Sequence, residues 1–154
     1  MNAQAPVSAQ AWCTFRLAGG HYGIELARVQ EVLRPLPVTR LPLGPPAIAG
    51  LVNLRGRIVT VVDARAVLGV GEPGTPAAGL IVVRGGEGPV ALLVDAIGDV
   101  RRPTSPPALA AEPTADERGS LVACTLALPG ELLVVLDLDR LLARAFAAPA
   151  EARS

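Results

Sequence analysis

The sequence predicts a mainly β protein made of two pseudo-symmetric small barrels, each closed by a short helix that an Asp caps. Two observations carry this. First, short apolar, β-branched runs recur at close spacing, separated by Gly/Pro turn signals, which is the pattern of small barrels rather than of open sheets. Second, the chain echoes itself without gaps: Gly56-Arg57-Ile58-Val59-Thr60-Val61-Val62-Asp63-Ala64-Arg65-Ala66-Val67-Leu68 lies on Gly130-Glu131-Leu132-Leu133-Val134-Val135-Leu136-Asp137-Leu138-Asp139-Arg140-Leu141-Leu142. Each copy is a Gly, a strand, an Asp and a short helix. With 51% apolar residues in 154, the chain can bury a substantial shared core.

The elements follow in order. Residues 1–10 read as a disordered tail. Trp12 to Leu17 and His21 to Leu26 alternate as strands around a Gly19-Gly20 turn, and Arg28 to Leu33 alternates as a third. Pro35, Pro37, Pro42, Pro45 and Pro46 forbid regular structure apart from one short turn of helix near Ala47. Strands are expected at Leu51–Leu54 and Arg57–Val62, then a helix from Asp63 as N-cap to Leu68, with Gly69 past its end. Gly71 to Gly79 is a linker. Leu80–Val83 and Val90–Val94 pair across Arg84 to Gly88, and Val94 to Val100 continues as an irregular strand. Residues 103–117 read as a Pro/Ala-rich loop. Leu121–Leu128 and Glu131–Leu136 form a hairpin around Pro129-Gly130, and Asp137 caps a helix through Phe146.

Composition excludes several chemistries. Formal charge is zero, which argues against broad electrostatic binding to nucleic acid or anionic membrane. All basic residues are Arg, so no P-loop, Schiff-base or kinase-type lysine exists. One His, His21, cannot build a His-rich metal site. Cys13 and Cys124 stand far apart with no CxxC partner; they read as core fillers in a reducing cytosol, and no metal or cofactor is expected. The first eleven residues lack the basic start and apolar centre of a signal peptide, and no apolar run is long enough to span a bilayer.

The segment Ile48 to Asp63 holds the most informative side chains. Its two apolar runs flank Leu54-Arg55-Gly56-Arg57, which reads as a tight turn. Asn53 and Gly56 suit unusual backbone angles and fix the loop, leaving Arg55 to bind. The blander alternative is a turn Arg paired with a local acid. Glu31 shares its side of a strand with Val29 and Leu33, which places a carboxylate at a sheet edge or an interface. Asp63 and Asp137 invite a hydrolase reading through a shared-proton carboxylate pair. No small hydroxyl residue and Gly follow either Asp, and N-capping explains both. His21 reads as a turn or strand-start residue, Trp12 as a core lid or anchor, and Arg101-Arg102 as a solvated pair. A generic peptide-binding barrel is a further alternative, disfavoured by 3% aromatics, because grooves for Pro-rich ligands need aromatic walls.

From about Trp12 to Leu142 the chain resembles the CheW-like chemotaxis coupling proteins. The resemblance rests on Val29-Gln30-Glu31-Val32-Leu33, Leu41-Pro42, Ile48-Ala49-Gly50-Leu51-Val52-Asn53-Leu54-Arg55-Gly56, Ile58 to Asp63, Leu93-Val94-Asp95-Ala96-Ile97-Gly98-Asp99-Val100, and Leu132 to Leu142. Of these, Gly-x-x-Asn-Leu-Arg-Gly is the most specific. The chain departs from the family at Asp99, where Glu is common, and near Gly119-Ser120-Leu121. The resemblance implies two SH3-like five-stranded barrels, intertwined within one domain over 11–148, with tails at 1–10 and 149–154. It implies no catalysis and no cofactor, but an adaptor in the cytoplasm, recruited to receptor arrays. Its partners would be chemoreceptor cytoplasmic tips and the like-folded regulatory domain of a CheA-type histidine kinase. It places receptor contact in the groove between the barrels, near Arg55 with Asn53 and Gly56 of the same element, makes Val29 and Glu31 candidates on that face, and leaves the kinase-binding residues unassigned.

Overall fold

The computed structural model describes residues 11–41, 45–71, 79–102, 109–111 and 121–147. The expected tails and most of the 71–79 and 103–117 segments lie outside them. Eleven strands and two helices follow in chain order: β1 Trp12–Leu17, β2 Gly20–Glu25, β3 Val29–Leu33, β4 Ile48–Leu54, β5 Arg57–Asp63, α1 Ala64–Leu68, β6 Gly79–Gly85, β7 Gly88–Val94, β8 Ala96–Arg101, β9 Leu109–Ala111, β10 Val122–Leu128, β11 Glu131–Leu136 and α2 Leu138–Phe146. The strands expected from alternation are all present. A hydrogen-bonded turn replaces the helical turn expected near Ala47, with Ile48 N–H donating to the Pro45 carbonyl at 3.0 Å. Strand β9 stands where only loop was expected.

The strands form two sheets, ordered β8-β1-β2-β11-β10-β9 and β3-β6-β7-β5-β4. Each is the same five-strand design, and β9 adds a short edge to the first. Hairpins β1–β2 and β6–β7 correspond, as do β10–β11 and β4–β5. One parallel seam joins each pair of hairpins, Val134 beside Tyr22 and Thr60 beside Val90. The remaining strands are exchanged. β3 follows β2 through a single 3-10 turn, Leu26–Arg28, yet pairs with β6; β8 follows β7 through Asp95 alone, yet pairs with β1. Connectors this short cannot carry the chain back to the start of the outer edge of its own hairpin's first strand, since a residue spans at most ~3.6 Å. Below, the first half means the β1-containing sheet with α2, and the second half means the other sheet with α1.

The exchange explains why several strands read as unbroken apolar runs. In β6, Leu80 and Val82 face a cluster inside the second half with Val52, Val59, Val61 and Ala91, while Ile81 and Val83 face the opposite way. That second cluster is shared by both halves and includes Phe15, Leu17, Ile24, Val62, Leu92, Leu136 and Leu141. A strand buried on both faces has no polar side to show. Trp12, Leu126, Leu133 and Val135 fill the interior of the first half, so of the two readings of Trp12, core lid or anchor, the structure has the first.

Both capped helices form as expected. Asp63 accepts a hydrogen bond from Arg65 N–H and Asp137 from Arg140 N–H, each at 3.1 Å, and Gly69 ends α1 in the left-handed region at φ 70°. The first Gly of the motif has a different task. Thr39 pairs with Leu51, its N–H and carbonyl each bonded at 2.8 Å, and so covers the outer edge of β4. Gly50 lies under this crossing at φ 151°, and a Cβ there would run into the Thr39 carbonyl oxygen and the Val38 side chain. Gly50→Ala is therefore expected to cost about 1–3 kcal/mol, since backbone must move to admit it. A urea melt superimposable on that of the unsubstituted protein would refute this.

Candidate functional site

Arg55 and Gly56 form the two-residue loop of the β4–β5 hairpin, with φ of 53° and 83°, and Leu54 opposite Arg57. Positive φ at both positions suits the twist of a tight hairpin, and Gly adopts it freely while Arg does so at a cost. Asn53 Oδ1 accepts a hydrogen bond from Gly56 N–H at 2.9 Å. Asn53 and Gly56 thus build the loop, and they hold Arg55 outward.

The Arg55 guanidinium is not left to solvent. It grips Glu31 with both forks, Nη1 to Oε2 and Nη2 to Oε1, each at 2.6 Å. This is the bidentate geometry that Arg makes with a carboxylate. The bond from Arg55 holds the Glu31 carboxyl below its ordinary range. Since β3 and the β4–β5 hairpin lie toward opposite edges of one sheet, the pair shows that the sheet curls until its edges approach. Arg55 still has 69% of its side chain exposed, against 24% for Glu31, so a partner can reach the cation directly.

Val29 parts from this pair. A bulge shifts the register between Val29 and Glu31, so that Val29 opposes Val83 while Glu31 opposes Val82. Residues directly opposite share a face. Val29 accordingly packs on the shared core, whereas Leu33, opposite Leu80, packs inside the second half. Strict alternation put Val29, Glu31 and Leu33 together; the inserted residue removes Val29 from the Glu31 face.

The first half carries a related closure of opposite sign. Here the hairpin residue is acidic: Glu131 meets Arg101 at 2.7 Å, Arg16 at 3.3 Å and His21 Nδ1 at 3.1 Å. Arg101 is thus paired within the chain rather than merely solvated. Burial pushes His21 below its ordinary value of 6.5, outweighing the pull of Glu131. Burial opposes ionisation of Glu131, but the combined fields of His21, Arg16 and Arg101 hold its carboxyl below the ordinary range.

These directions share one sign. An unfolded chain protonates His21 near 6.5 before the folded chain does, so stability falls as pH drops from there toward the depressed value. Glu31 and Glu131 stabilise the fold above their unfolded value of 4.5, and this is lost as pH falls through their folded values. The expected record of melting temperature against pH has an upper step from His21 and a lower one from the carboxylates. His21→Gln should erase the upper step alone; a step near pH 6 that survives this change has another origin.

Sequence reading passed over two further ion pairs. Asp95, the whole of the β7-to-β8 connector, sets Oδ1 3.3 Å from Arg65 Nε and accepts the Ala18 N–H at Oδ2 at 2.7 Å. In the β2-to-β3 connector, Arg28 Nη2 donates to the Arg84 carbonyl at 2.7 Å and to Asp139 Oδ1 at 2.8 Å, and Arg84 donates back to the Ala27 carbonyl. Arg65 and Asp139 occupy equivalent positions in the internal echo. The signal was therefore available: opposite charges at matched helix positions, each answered in a connector. The two Asp residues each cap a helix, as the N-cap reading has it.

Comparison with known proteins agrees with this geometry. Residues 11–146 match the CheW-like domain. The chain is 33% identical over 88 residues to a probable chemotaxis protein CheW of Rhizobium etli, an alignment covering 56% of each chain. It is 32% identical over 137 residues to the chemotaxis protein CheW of Klebsiella aerogenes, covering 86% of this chain and 81% of that one. The scaffolding protein TtCheW of Thermoanaerobacter tengcongensis superposes with a TM-score of 0.78 at 25% identity, over 86% of this chain and 92% of the other. With its exchanged strands, its Asp-capped helices and a family match across all described elements, the chain belongs to the CheW-like family of non-enzymatic chemotaxis adaptors.

Proposed function

We propose that this adaptor acts as one unit over residues 11–148, coupling chemoreceptor cytoplasmic tips to a CheA-type histidine kinase at receptor arrays, and that Arg55 is its receptor contact. The observation that carries the site is the Arg55–Glu31 fork. It presents an exposed guanidinium, aimed by a stiff two-residue loop and oriented by a carboxylate on β3, at the opposite edge of the curled sheet. Pre-ordering of this kind reduces the entropy lost on binding. A planar cation with donors still open to solvent suits carboxylates or helix-end carbonyls on the helical tip of a receptor. Asn53 and Gly56 serve the site by shaping the loop. Val29 serves it from behind, through the core beneath β3.

The test is titration calorimetry of the full chain with a receptor tip fragment and, separately, with the regulatory domain of the kinase. Both are expected to bind at micromolar levels, as transient signalling interfaces do. Failure to bind either at tens of micromolar would remove the coupling role for that pair of partners.

A further inference from the structure

The two strand exchanges are pinned in equivalent ways but at unequal depth. Each connector makes an ion pair with the second residue after an Asp N-cap, in the helix of the half it leaves. Each also hydrogen-bonds the hairpin end of the half it enters: Asp95 takes the Ala18 N–H, and Arg28 gives to the Arg84 carbonyl. The charges are reversed between the two. At the β7-to-β8 crossing, Arg65 and Asp95 are 8% and 22% exposed; at the β2-to-β3 crossing, Arg28 and Asp139 are 25% and 74% exposed. Breaking the deeper pair leaves Arg65 buried without its nearest carboxylate, while breaking the shallower one returns Asp139 to water and leaves Arg28 on the Arg84 carbonyl, at little cost.

We infer that the Arg28–Asp139 pair is a releasable latch and the Asp95–Arg65 pair a fixed pin, so that α2 and the β6–β7 hairpin part at the first while the second holds the halves together. What the latch controls lies beside it. A groove of about 550 Å³ runs between α2 and the β6–β7 hairpin, lined by Thr60, Gly86, Pro89, Asp139, Leu142 and Phe146. Asp139 is both a wall of this groove and half of the latch. Release detaches Asp139 from Arg28, leaving the hairpin end held to the connector by the Arg28 and Arg84 backbone contacts. Gly85, Gly86 and Gly88 in the hairpin resist such movement little. The inference is independent of what binds Arg55.

Hydrogen exchange on the full chain tests it. Asp139→Ala, which opens the latch alone, is expected to speed amide exchange in the hairpin, residues 84–88, by about tenfold; Arg28→Ala also removes the bonds to the Arg84 carbonyl and is expected to speed it further, with the double variant no faster than Arg28→Ala. Amides around Ala18 and Asp95 should keep their rates in all three. Since Asp139 also sits in the first turn of α2, its loss will fray that turn by itself. Acceleration confined to α2, or additive effects in the double variant, would overturn the latch. So would an equal acceleration at Ala18, because the pin would then be opening too.

Discussion

Asp95→Ala is expected to destabilise the protein by about 3 kcal/mol, because it takes the nearest carboxylate from a buried guanidinium. Arg65 is 8% exposed, and its Nε faces Asp95 at 3.3 Å and Asp63 only at 4.0 Å. The substitution also gives up to water the Ala18 N–H, which Asp95 holds at 2.7 Å in the exposed β1–β2 turn. Asp63→Ala is the control. It removes the α1 cap and should cost about 1 kcal/mol. Urea unfolding at constant slope separates the two. If the two variants have the same midpoint, Asp95 is no more than another surface acid, and the pin between the halves is not an energetic one.

The second large effect is on binding. Arg55→Glu should weaken receptor binding by roughly 30-fold or more if the guanidinium is desolvated in the complex, and should leave kinase binding intact. It would also set two carboxylates against each other at Glu31, so a cleaner variant is needed. Arg55→Asn supplies it. Asn-Gly is the preferred pair for a two-residue hairpin loop with positive φ at both positions, so the fold should melt no lower than before while the cation is gone. The reversed pair, Glu31→Arg with Arg55→Glu, completes the set. It restores the fork but moves the cation onto β3. Receptor affinity that is lost in Arg55→Asn and not recovered in the reversed pair marks Arg55 as the contact. Full recovery would mean that the fork only closes the barrel and the receptor binds elsewhere.

Local rules made the hairpins and helices legible. Arg55-Gly56, Pro129-Gly130 and the two Asp caps are short-range signals, and the structure follows them. The gapless echo also foretold the pseudo-symmetry, down to the matching of Arg65 with Asp139. Long-range matters were not legible. Alternation gave no hint that a bulge would turn Val29 away from Glu31, because a bulge depends on the partner strand β6. Nor did the turn motif reveal that Arg55 reaches Glu31, a pairing created by the curl of the whole sheet. The need for Gly at position 50 was equally hidden: it arises from the close approach of Thr39, eleven residues earlier and across a Pro-rich stretch.

The exchanged strands also set a timetable for synthesis. Hairpin β1–β2 leaves the ribosome first, but its two neighbours in the sheet are β8, beginning at residue 96, and β11, beginning at residue 131. Both edges of the first hairpin therefore wait until most of the chain has been translated. Contacts this distant in sequence slow folding and leave strand edges open to other nascent chains. At elongation rates of ~5–20 residues per second, the wait lasts several seconds. The first hairpin among the described elements is thus completed only once β11 has emerged, and a truncated product ending before residue 131 would never acquire the parallel seam between β2 and β11.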